Sequence, residues 1–335
     1  MKKLFFIAAL SSIALVSCVK NEMDPSATQQ DEITFNAPVV APSTKAIIDG
    51  AVYPKTESFG VYAWHSSSND PYMENVQVSN VAGLEDDQTG ESYGEEGGWK
   101  PAQATYWPKE GTLDFDAYSP YSVNSFVSAT KADGIVVTDY VVADPADTDL
   151  MYALRSKNKS NVNDGANDGI PYDGVDIAFK HALTAVQLKA KTASEYTGTT
   201  IVITSIEIEN AISKGTFRQN ESTSDPAWTP TATEDKYAYT DGTVTVSGID
   251  CGTKLLLPQS LSDDLAVTIT YTINGIEQTG TFLFKDHKNG KDESDGDVTV
   301  DSWEMGNKYV YTLVFTLDEI FFEPIVTDWE TIIVS

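Results

Sequence analysis

The chain has 335 residues, and 41% of them are apolar, so it can bury the cores of two domains and is not disordered as a whole. Its formal net charge is −28, from 22 basic against 50 acidic residues, and a chain this acidic repels nucleic-acid phosphates. Nucleic acid is therefore excluded as an expected partner.

The N-terminus has the features of a lipoprotein signal peptide. Two lysines precede an apolar run at residues 4–16, which is too short to span a bilayer and is followed by Ser and then Cys18. This ending resembles a lipobox, at which signal peptidase II cuts before a cysteine that becomes lipid-modified. We therefore expect residues 1–17 to be removed and a lipid on Cys18 to hold the chain at a membrane. The polar residues 18–31 are expected to form a flexible tether.

Alternation of apolar and polar residues recurs through the rest of the chain and predicts β-strands. Isoleucines alternate with glutamates in residues 206–209, and Leu113 and Phe115 alternate with two aspartates, of which the second is Asp116. The longest stripe runs through residues 309–317. Each pattern predicts one face of the strand on a core and the polar face in water.

Turn signals and the scarcity of helical patterns complete the fold prediction. Asn274-Gly275 lies between two strand patterns and predicts a type I′ hairpin, whose two central residues both need positive φ. Residues 147–156 are the one candidate for a short helix. The predicted class is all-β, with two tandem β-sandwich domains at residues 32–175 and 176–335.

The residue types that carry catalysis are sparse. The three histidines, His65, His181 and His287, lie in unrelated contexts without the spacing of a metal-binding helix face. Cys251, the one cysteine after Cys18, comes two residues after Ile249 and shortly before the run of leucines at residues 255–257, so it is expected to be a small buried hydrophobe. There is no nucleophile elbow, phosphate-binding glycine loop or dinucleotide motif. We therefore expect no enzymatic activity, no cofactor and no metal site.

Three alternatives stay open at this stage. A pair of carboxylates could make the chain a glycosidase, although fifty acidic residues make any chosen pair uninformative. The acidic loop at residues 292–297 offers oxygen ligands for calcium, against which a solvated loop is favoured. Trp99 and Trp228 stand beside loops of Gly, Pro and polar residues and are candidates for glycan contact, whereas core filling is expected of most other aromatic residues.

A set of segments in a fixed order after the lipobox-like motif carries a resemblance to a known family. The most specific block is Tyr106-Trp107-Pro108 followed by residues 113–120. The other segments are residues 33–35, 44–46, 59–63, 149–153, 179–183, 257–259, 303–311 and 328–329. Together they resemble the fimbrillin family of Bacteroidetes, specifically its Mfa-like branch, over almost the whole chain after residue 18.

The resemblance implies two tandem transthyretin-like β-sandwich domains and a lipoprotein precursor carried to the outer membrane surface. It also implies that a trypsin-like surface protease cuts after a basic residue in the first loop, where Lys45 matches. Such a cut removes the lipid anchor and the strand that contains Ile33, Phe35 and Ala37. A strand of another fimbrillin subunit, identical or different, then fills the gap and satisfies its backbone groups.

The C-terminal stretch is the candidate donor strand, because it is very apolar for a chain end. Its apolar residues include Phe321, Phe322, Ile325, Val326, Trp329, Ile332, Ile333 and Val334. The alternative for this stretch is a final core strand of the second domain.

The function implied by the resemblance is that of a structural subunit, a pilin, in a bacterial surface fimbria that mediates adhesion. The alternative is a monomeric surface lipoprotein or tip adhesin that binds glycans or other host ligands, including proteins.

Overall fold

The computed structural model describes residues 32–40, 51–82, 98–143, 145–160, 174–292, 296–316 and 320–328. These ranges are built almost entirely of strands, which confirms the predicted all-β class. Their helical elements are two short 3₁₀ turns, Tyr121–Phe126 and Phe284–Asp286. No helix among these residues has both the length and the apolar character needed to cross a membrane.

The strands form three large sheets and one small pair. The first sheet has the order β2-β1-β11-β9-β6-β3-β4-β5, with β10 also paired to β6. Its strands are β1 (Val39–Val40), β2 (Ala51–Val52), β3 (Ser58–His65), β4 (Pro71–Val81), β5 (Gly98–Pro101), β6 (Leu113–Ser119), β9 (Met151–Ala153), β10 (Ser156–Lys159) and β11 (Ala178–His181).

The second sheet has the order β16-β12-β23-β24-β20-β21. Its strands are β12 (Thr184–Thr192), β16 (Ile249–Leu256), β20 (Asn289–Lys291), β21 (Asp297–Thr299), β23 (Asn307–Phe315) and β24 (Ile320–Asp328). A separate two-stranded sheet joins β17 (Gln259–Ser260) to β22 (Ser302–Trp303).

The third sheet is organised around one long strand and has the order β19-β18-β13-β8-β7, with β14 and β15 also paired to β13. Its strands are β7 (Val127–Thr130), β8 (Gly134–Val141), β13 (Ile201–Arg218), β14 (Ala227–Ala238), β15 (Gly242–Val244), β18 (Ala266–Ile273) and β19 (Ile276–Leu283).

The predicted alternation is confirmed where a sheet has one apolar face. Along β13, Ile206 and Ile208 are buried while Glu207 and Glu209 are partly exposed. Along β23, residues 309, 311, 313 and 315 are all buried, but Val310 and Val314 on the opposite face are buried as well, so the prediction that this face lies in water is wrong. Leu317, at the end of the predicted stripe, lies outside the described residues.

The hairpin between β18 and β19 is also confirmed. Ile273 pairs with Ile276, and the two residues between them, Asn274 and Gly275, have φ of 48° and 82°. Both central residues are therefore left-handed, as a type I′ turn requires. This turn matches the right-handed twist of its two strands.

The proposed short helix at residues 147–156 is wrong. Met151 and Tyr152 belong to β9, which pairs with Ser119 and Tyr118 of β6 on one side and with β11 on the other. Ladder hydrogen bonds on both sides hold this stretch extended and override any local helical preference.

The described residues form two apolar clusters, and the first sheet lies between them. Phe59 and Val61 of β3 face one cluster, here called the first core, together with Phe115 of β6. Tyr62 and Trp64, on the opposite face of the same strand, belong to the second core, which extends through the second and third sheets. Both faces of the first sheet are therefore covered at β3.

Strand pairing crosses the predicted boundary between residues 175 and 176. β8 lies before this boundary in the sequence, and its Tyr140 and Val136 pair with Gly215 and Arg218 of β13, which lies after it. The β7–β8 hairpin thus belongs to the third sheet. The division into two tandem domains stays a prediction.

Candidate strand-exchange site

Residues 32–40, here called the leading segment, contain the predicted displaced strand and contribute Ile33, Phe35 and Val40 to the first core. Ile33 and Phe35 have 0% exposure. The Phe35 ring meets Phe59 and Phe115 edge to face, with ring centroids 5.7 and 5.8 Å away. Aromatic pairs prefer this arrangement, and burying a whole Phe side chain stabilises by about 1.5–3 kcal/mol.

One side of the leading segment is bonded to the chain around β5. The backbone N–H of Phe35 donates to the carbonyl of Trp99 at 3.0 Å, and that of Ile33 donates to the carbonyl of Thr105 at 2.7 Å. The Glu32 carboxylate also lies 3.0 Å from the Lys100 ammonium.

The other side is bonded to the chain that leads into β11. Asn36 N–H donates to the carbonyl of Val175 at 3.1 Å, and Val175 N–H donates back to Thr34 at 2.9 Å. Farther along, Val39 N–H donates to the carbonyl of Ile177 at 3.1 Å. The leading segment is therefore inserted between two other stretches of chain and does not lie at a sheet edge.

The backbone of the leading segment passes very close to Gly174. A Cβ atom at Gly174 would lie 2.4 Å from the carbonyl carbon of Phe35, so no side chain fits there. Gly174 N–H donates to the Asn36 side-chain oxygen at 2.9 Å, and the Asn36 amide donates to Asp176 at 2.7 Å. After Asn36 the alternation shifts by one residue, so that Ala37 is exposed.

Two residues of the predicted processing pathway, Cys18 and Lys45, lie outside the described residues. Lys45 falls in the sequence between β1 and β2, which pair antiparallel with Val40 opposite Ala51. The lipidation and cleavage expectations stay predictions.

The candidate donor stretch is partly described. β24 pairs antiparallel with β23 over its full length, from Ile320 opposite Phe315 to Asp328 opposite Asn307. Val326 packs on the second core, and Ile325 is 39% exposed. The side chains of Phe321 and Phe322 lie outside the described part of the chain, as do Trp329, Ile332 and Val334 entirely.

A buried ion pair, missed at the level of sequence, lies on the face of the first sheet that the second core covers. Arg155 donates to the Asp116 carboxylate from Nε at 2.8 Å and from Nη2 at 2.6 Å, and the two side chains are 5% and 0% exposed. Burial lowers the pKa of Arg155, but the hydrogen bond and charge of Asp116 outweigh burial, so its pKa is raised. The predicted solvent exposure of Asp116 is wrong, because the second core covers that face of the sheet.

Trp64 and Gln219 extend this ion pair into a buried polar cluster. Trp64 Nε1 donates to Asp116 at 2.7 Å. Gln219, which follows β13, donates to the carbonyl of Ala153 at 3.1 Å and accepts the N–H of Ile135 at 2.9 Å. The cluster therefore joins the first sheet to β8 and to the end of β13.

Lys131, in the turn between β7 and β8, holds the hairpin against the first sheet. Its ammonium donates to the carbonyls of His65 and Ser68 at 2.8 and 2.9 Å. Its own carbonyl accepts Arg155 Nη1 at 2.7 Å. The hairpin is thus fixed through the same arginine that neutralises Asp116.

The two candidate glycan-contact tryptophans are occupied by protein contacts. Trp99 is 3% exposed and packs on Tyr53 and Phe59 with centroids 5.3 and 5.7 Å away, which corrects the expectation of a surface position. Trp228 is half-buried, packs on Phe217, and donates its indole N–H to a backbone carbonyl. Sugar contact at Trp228 stays a prediction.

Two of the histidines, His181 and His65, have polar partners within the protein. His181 is buried with Nδ1 2.9 Å from the Asp149 carboxylate, and His65 lies between the Ser67 hydroxyl and the Glu110 carbonyl. Both histidines are therefore held in place by protein groups.

Cys251 is 1% exposed, and burial raises the pKa of its thiol to about 11. The thiol is therefore protonated at neutral pH. The prediction of a buried small hydrophobe is confirmed.

The acidic loop is described only at its ends. Asp292 accepts the N–H of Gly296 at 2.7 Å, and Asp297 pairs with Lys291 at 2.7 Å, while residues 293–295 lie outside the described ranges. Within those ranges, no group of three or more His, Cys, Asp or Glu side chains is placed to hold a metal ion.

Comparison with known proteins gives both a family and a fold. The fimbrillin-like family model matches residues 44–329. A search of curated proteins finds no match.

Two solved structures illustrate the shared fold. One is described as a cell adhesion protein of Bacteroides uniformis, with a TM-score of 0.54 and 19% identity, covering 90% of this chain and 99% of its own. A fimbrial protein of Bacteroides vulgatus gives a TM-score of 0.53 and 15% identity, covering 81% and 92%. At these identities the likeness shows the fold alone, and the family rests on the match over residues 44–329. The chain therefore belongs to the fimbrillin-like family, the family that its sequence resembles.

Proposed function

We propose that this pilin-like adhesion subunit enters a bacterial surface fimbria by exchanging its leading segment for a strand of a second subunit. The exchange follows a cut after Lys45 by a trypsin-like surface protease. Before the cut, a lipid on Cys18 anchors the precursor at the outer membrane. The protein acts as a structural subunit and not as an enzyme.

The observation that carries the proposal is the double-sided bonding of a short apolar segment. Removal of residues 32–40 would leave the carbonyls of Trp99, Thr105 and Ile177 without their present partners, together with both backbone groups of Val175. Unsatisfied backbone groups in an apolar cleft are costly, and a strand from another chain satisfies them by extending the ladder.

The side chains set what the incoming strand must supply. Ile33 and Phe35 have 0% exposure, and truncating a buried Phe to Ala typically costs about 3–5 kcal/mol. An emptied groove therefore favours a strand with large apolar residues two positions apart, as Ile33 and Phe35 are.

The position of β24 bears on which residues can be donated. Because β24 is paired with β23 from Ile320 to Asp328, donating it would break an existing ladder. Residues after Asp328, among them Trp329, Ile332 and Val334, are outside that described ladder. We therefore favour these last residues as the donor strand, while β24 stays paired with β23.

Limited proteolysis of the folded chain tests the proposal. The mature chain with Cys18→Ser is treated with trypsin, then analysed by N-terminal sequencing and by size in detergent. We expect a new N-terminus at Ala46 and detergent-resistant oligomers. Lys45→Ala should stay monomeric, whereas the matched control Lys55→Ala, at an exposed position after β2, should assemble normally.

Two results would contradict the proposal. One is oligomer formation by Lys45→Ala equal to that of the wild type. The other is a chain cut after Lys45 that stays monomeric at high concentration with residues 32–45 released.

A further inference from the structure

A cleft of about 360 Å³ lies at the end of the third sheet, between the end of β12 and the start of β13. The opposite end of β13 reaches the first sheet, where the Phe217 and Tyr152 rings are 4.9 Å apart. The cleft therefore lies at the end of β13 opposite its contact with the first sheet, and none of its lining residues belongs to the leading segment.

The cleft is lined mainly by threonine. Six of its eleven lining residues are threonines, among them Thr192, Thr199 and Thr243. Tyr196 supplies one half-buried aromatic ring, and Val244 supplies a buried apolar position. The lining therefore alternates methyl groups with hydroxyl donors and acceptors on a concave surface.

Backbone hydrogen bonds hold both walls of the cleft. Thr192 N–H donates to the carbonyl of Thr245 at 3.0 Å, and Thr199 N–H donates to the carbonyl of Tyr196 at 3.1 Å. Thr200 N–H donates to the Asn274 side chain at 2.8 Å. The backbone that carries the threonines is therefore fixed, so the walls of the cleft need not be ordered when a ligand binds.

The charge of the cleft restricts the ligand class. Its described lining contains no Lys, Arg or His, and Glu195 is the charged residue among them. The whole chain has a net charge of −28. Phosphate, sulfate and carboxylate ligands therefore meet repulsion and find no basic partner in this lining.

We propose that this cleft binds an uncharged pyranose sugar. A pyranose presents C–H groups on its faces and hydroxyl groups around its rim, which match the threonine methyl and hydroxyl groups. Tyr196 offers a ring for the C–H face, and Glu195 offers an acceptor for sugar hydroxyls. A sugar ligand would specify what the adhesive subunit proposed above binds. This step therefore rests on the proposed function.

Binding is tested on the uncut, monomeric chain, so that a failure of strand exchange leaves the result unaffected. Saturation-transfer NMR is recorded with methyl mannoside, methyl galactoside and N-acetylglucosamine, and with N-acetylneuraminic acid as the charged comparison. We expect transfer from at least one neutral sugar and none from N-acetylneuraminic acid.

Variants locate the site. Tyr196→Ala and Thr243→Val should each weaken binding by about tenfold, because each removes one contact group. The matched control Tyr106→Ala, at an aromatic residue that is 46% exposed elsewhere, should bind like the wild type. Thr243→Val is nearly isosteric at an exposed position, so it tests the proposal even where Tyr196→Ala does not fold.

Three outcomes overturn the inference. They are no transfer from any of the three neutral sugars, equal binding by the wild type and both cleft variants, and transfer from N-acetylneuraminic acid alone.

Discussion

The buried pair of Asp116 and Arg155 gives the sharpest test of how this fold is stabilised. Arg155→Met keeps most of the side-chain volume and removes the two short hydrogen bonds to Asp116, at 2.8 and 2.6 Å. The Asp116 carboxylate then stays at a position with 0% exposure, with Trp64 as its remaining short donor.

The expected loss follows from that burial. Removing one partner of a buried ion pair typically costs about 3–5 kcal/mol, because the other charge is left without compensation. Arg155→Lys keeps the charge but loses the two-point contact, and charge-assisted bonds contribute about 1.5–3 kcal/mol each, so its cost should be smaller. The surface pair of Lys288 and Asp301 is the matched control, since exposed pairs contribute about 0–1 kcal/mol.

Urea unfolding followed by tryptophan fluorescence measures these differences. The double variant Asp116→Leu with Arg155→Met should recover part of the loss, because it removes both charges together. A cost for Arg155→Met no greater than that of Lys288→Met would refute the reasoning. So would a double variant whose cost equals the sum of the two single changes, since the pair would then show no coupling.

Three further predictions concern single positions. Burial raises the pKa of Cys251 from 9.0 to about 11, so its alkylation in mildly alkaline buffer should be at least about a hundredfold slower in the folded chain than in urea, and equal rates by peptide mass spectrometry would contradict this. Gly275→Ala should cost about 1–2 kcal/mol in urea unfolding because φ is 82°, whereas Thr279→Ala on exposed β19 should cost about 0.5 kcal/mol or less. Hydrogen bonds from Lys236 and then Thr268 lower the pKa of Glu209 below 4.5. The stability they add is present above pH 4.5 and is lost as the pH falls through the lowered value, so the wild type and Glu209→Gln should differ at neutral pH and converge in acid.

The parts of the fold that sequence predicted well are those governed by local rules. The alternation at Ile206 and Ile208 follows from the two-residue repeat of a strand with one apolar face. The Asn274-Gly275 turn follows from the need for positive φ at two successive residues. Neither feature depends on residues that are distant in the sequence, so the local sequence alone was sufficient to predict it.

The parts that sequence missed depend on contacts between distant residues. Asp116 alternates with apolar neighbours like a solvent-facing residue, and only the cover provided by the second core buries it. A signal was available in Arg155, because the chain has two arginines, Arg155 and Arg218, among 22 basic residues. Since the other 20 of these 22 basic residues are lysines, an arginine at position 155 indicates a two-point partner such as a carboxylate.

The candidate exchange site shows the same limit. Sequence and resemblance together predicted a strand at Ile33 and Phe35, where the structure has isolated bridges at Glu32 and Phe35. The insertion between the stretches around Trp99 and Val175 could not be derived from spacing. Trp99 looked like a surface residue because polar loop sequence precedes it, and long-range packing on Tyr53 places it in the core instead.

The position of the first sheet between the two cores has a consequence for how the molecule melts. Neighbouring residues of β3, such as Val61 and Tyr62, anchor opposite cores, so loss of this sheet removes one wall from each. The free energies of the two cores are therefore coupled through a common element, and neither can disorder while the other keeps its full packing. Heating should give one cooperative calorimetric transition, although the chain is long enough to form two domains.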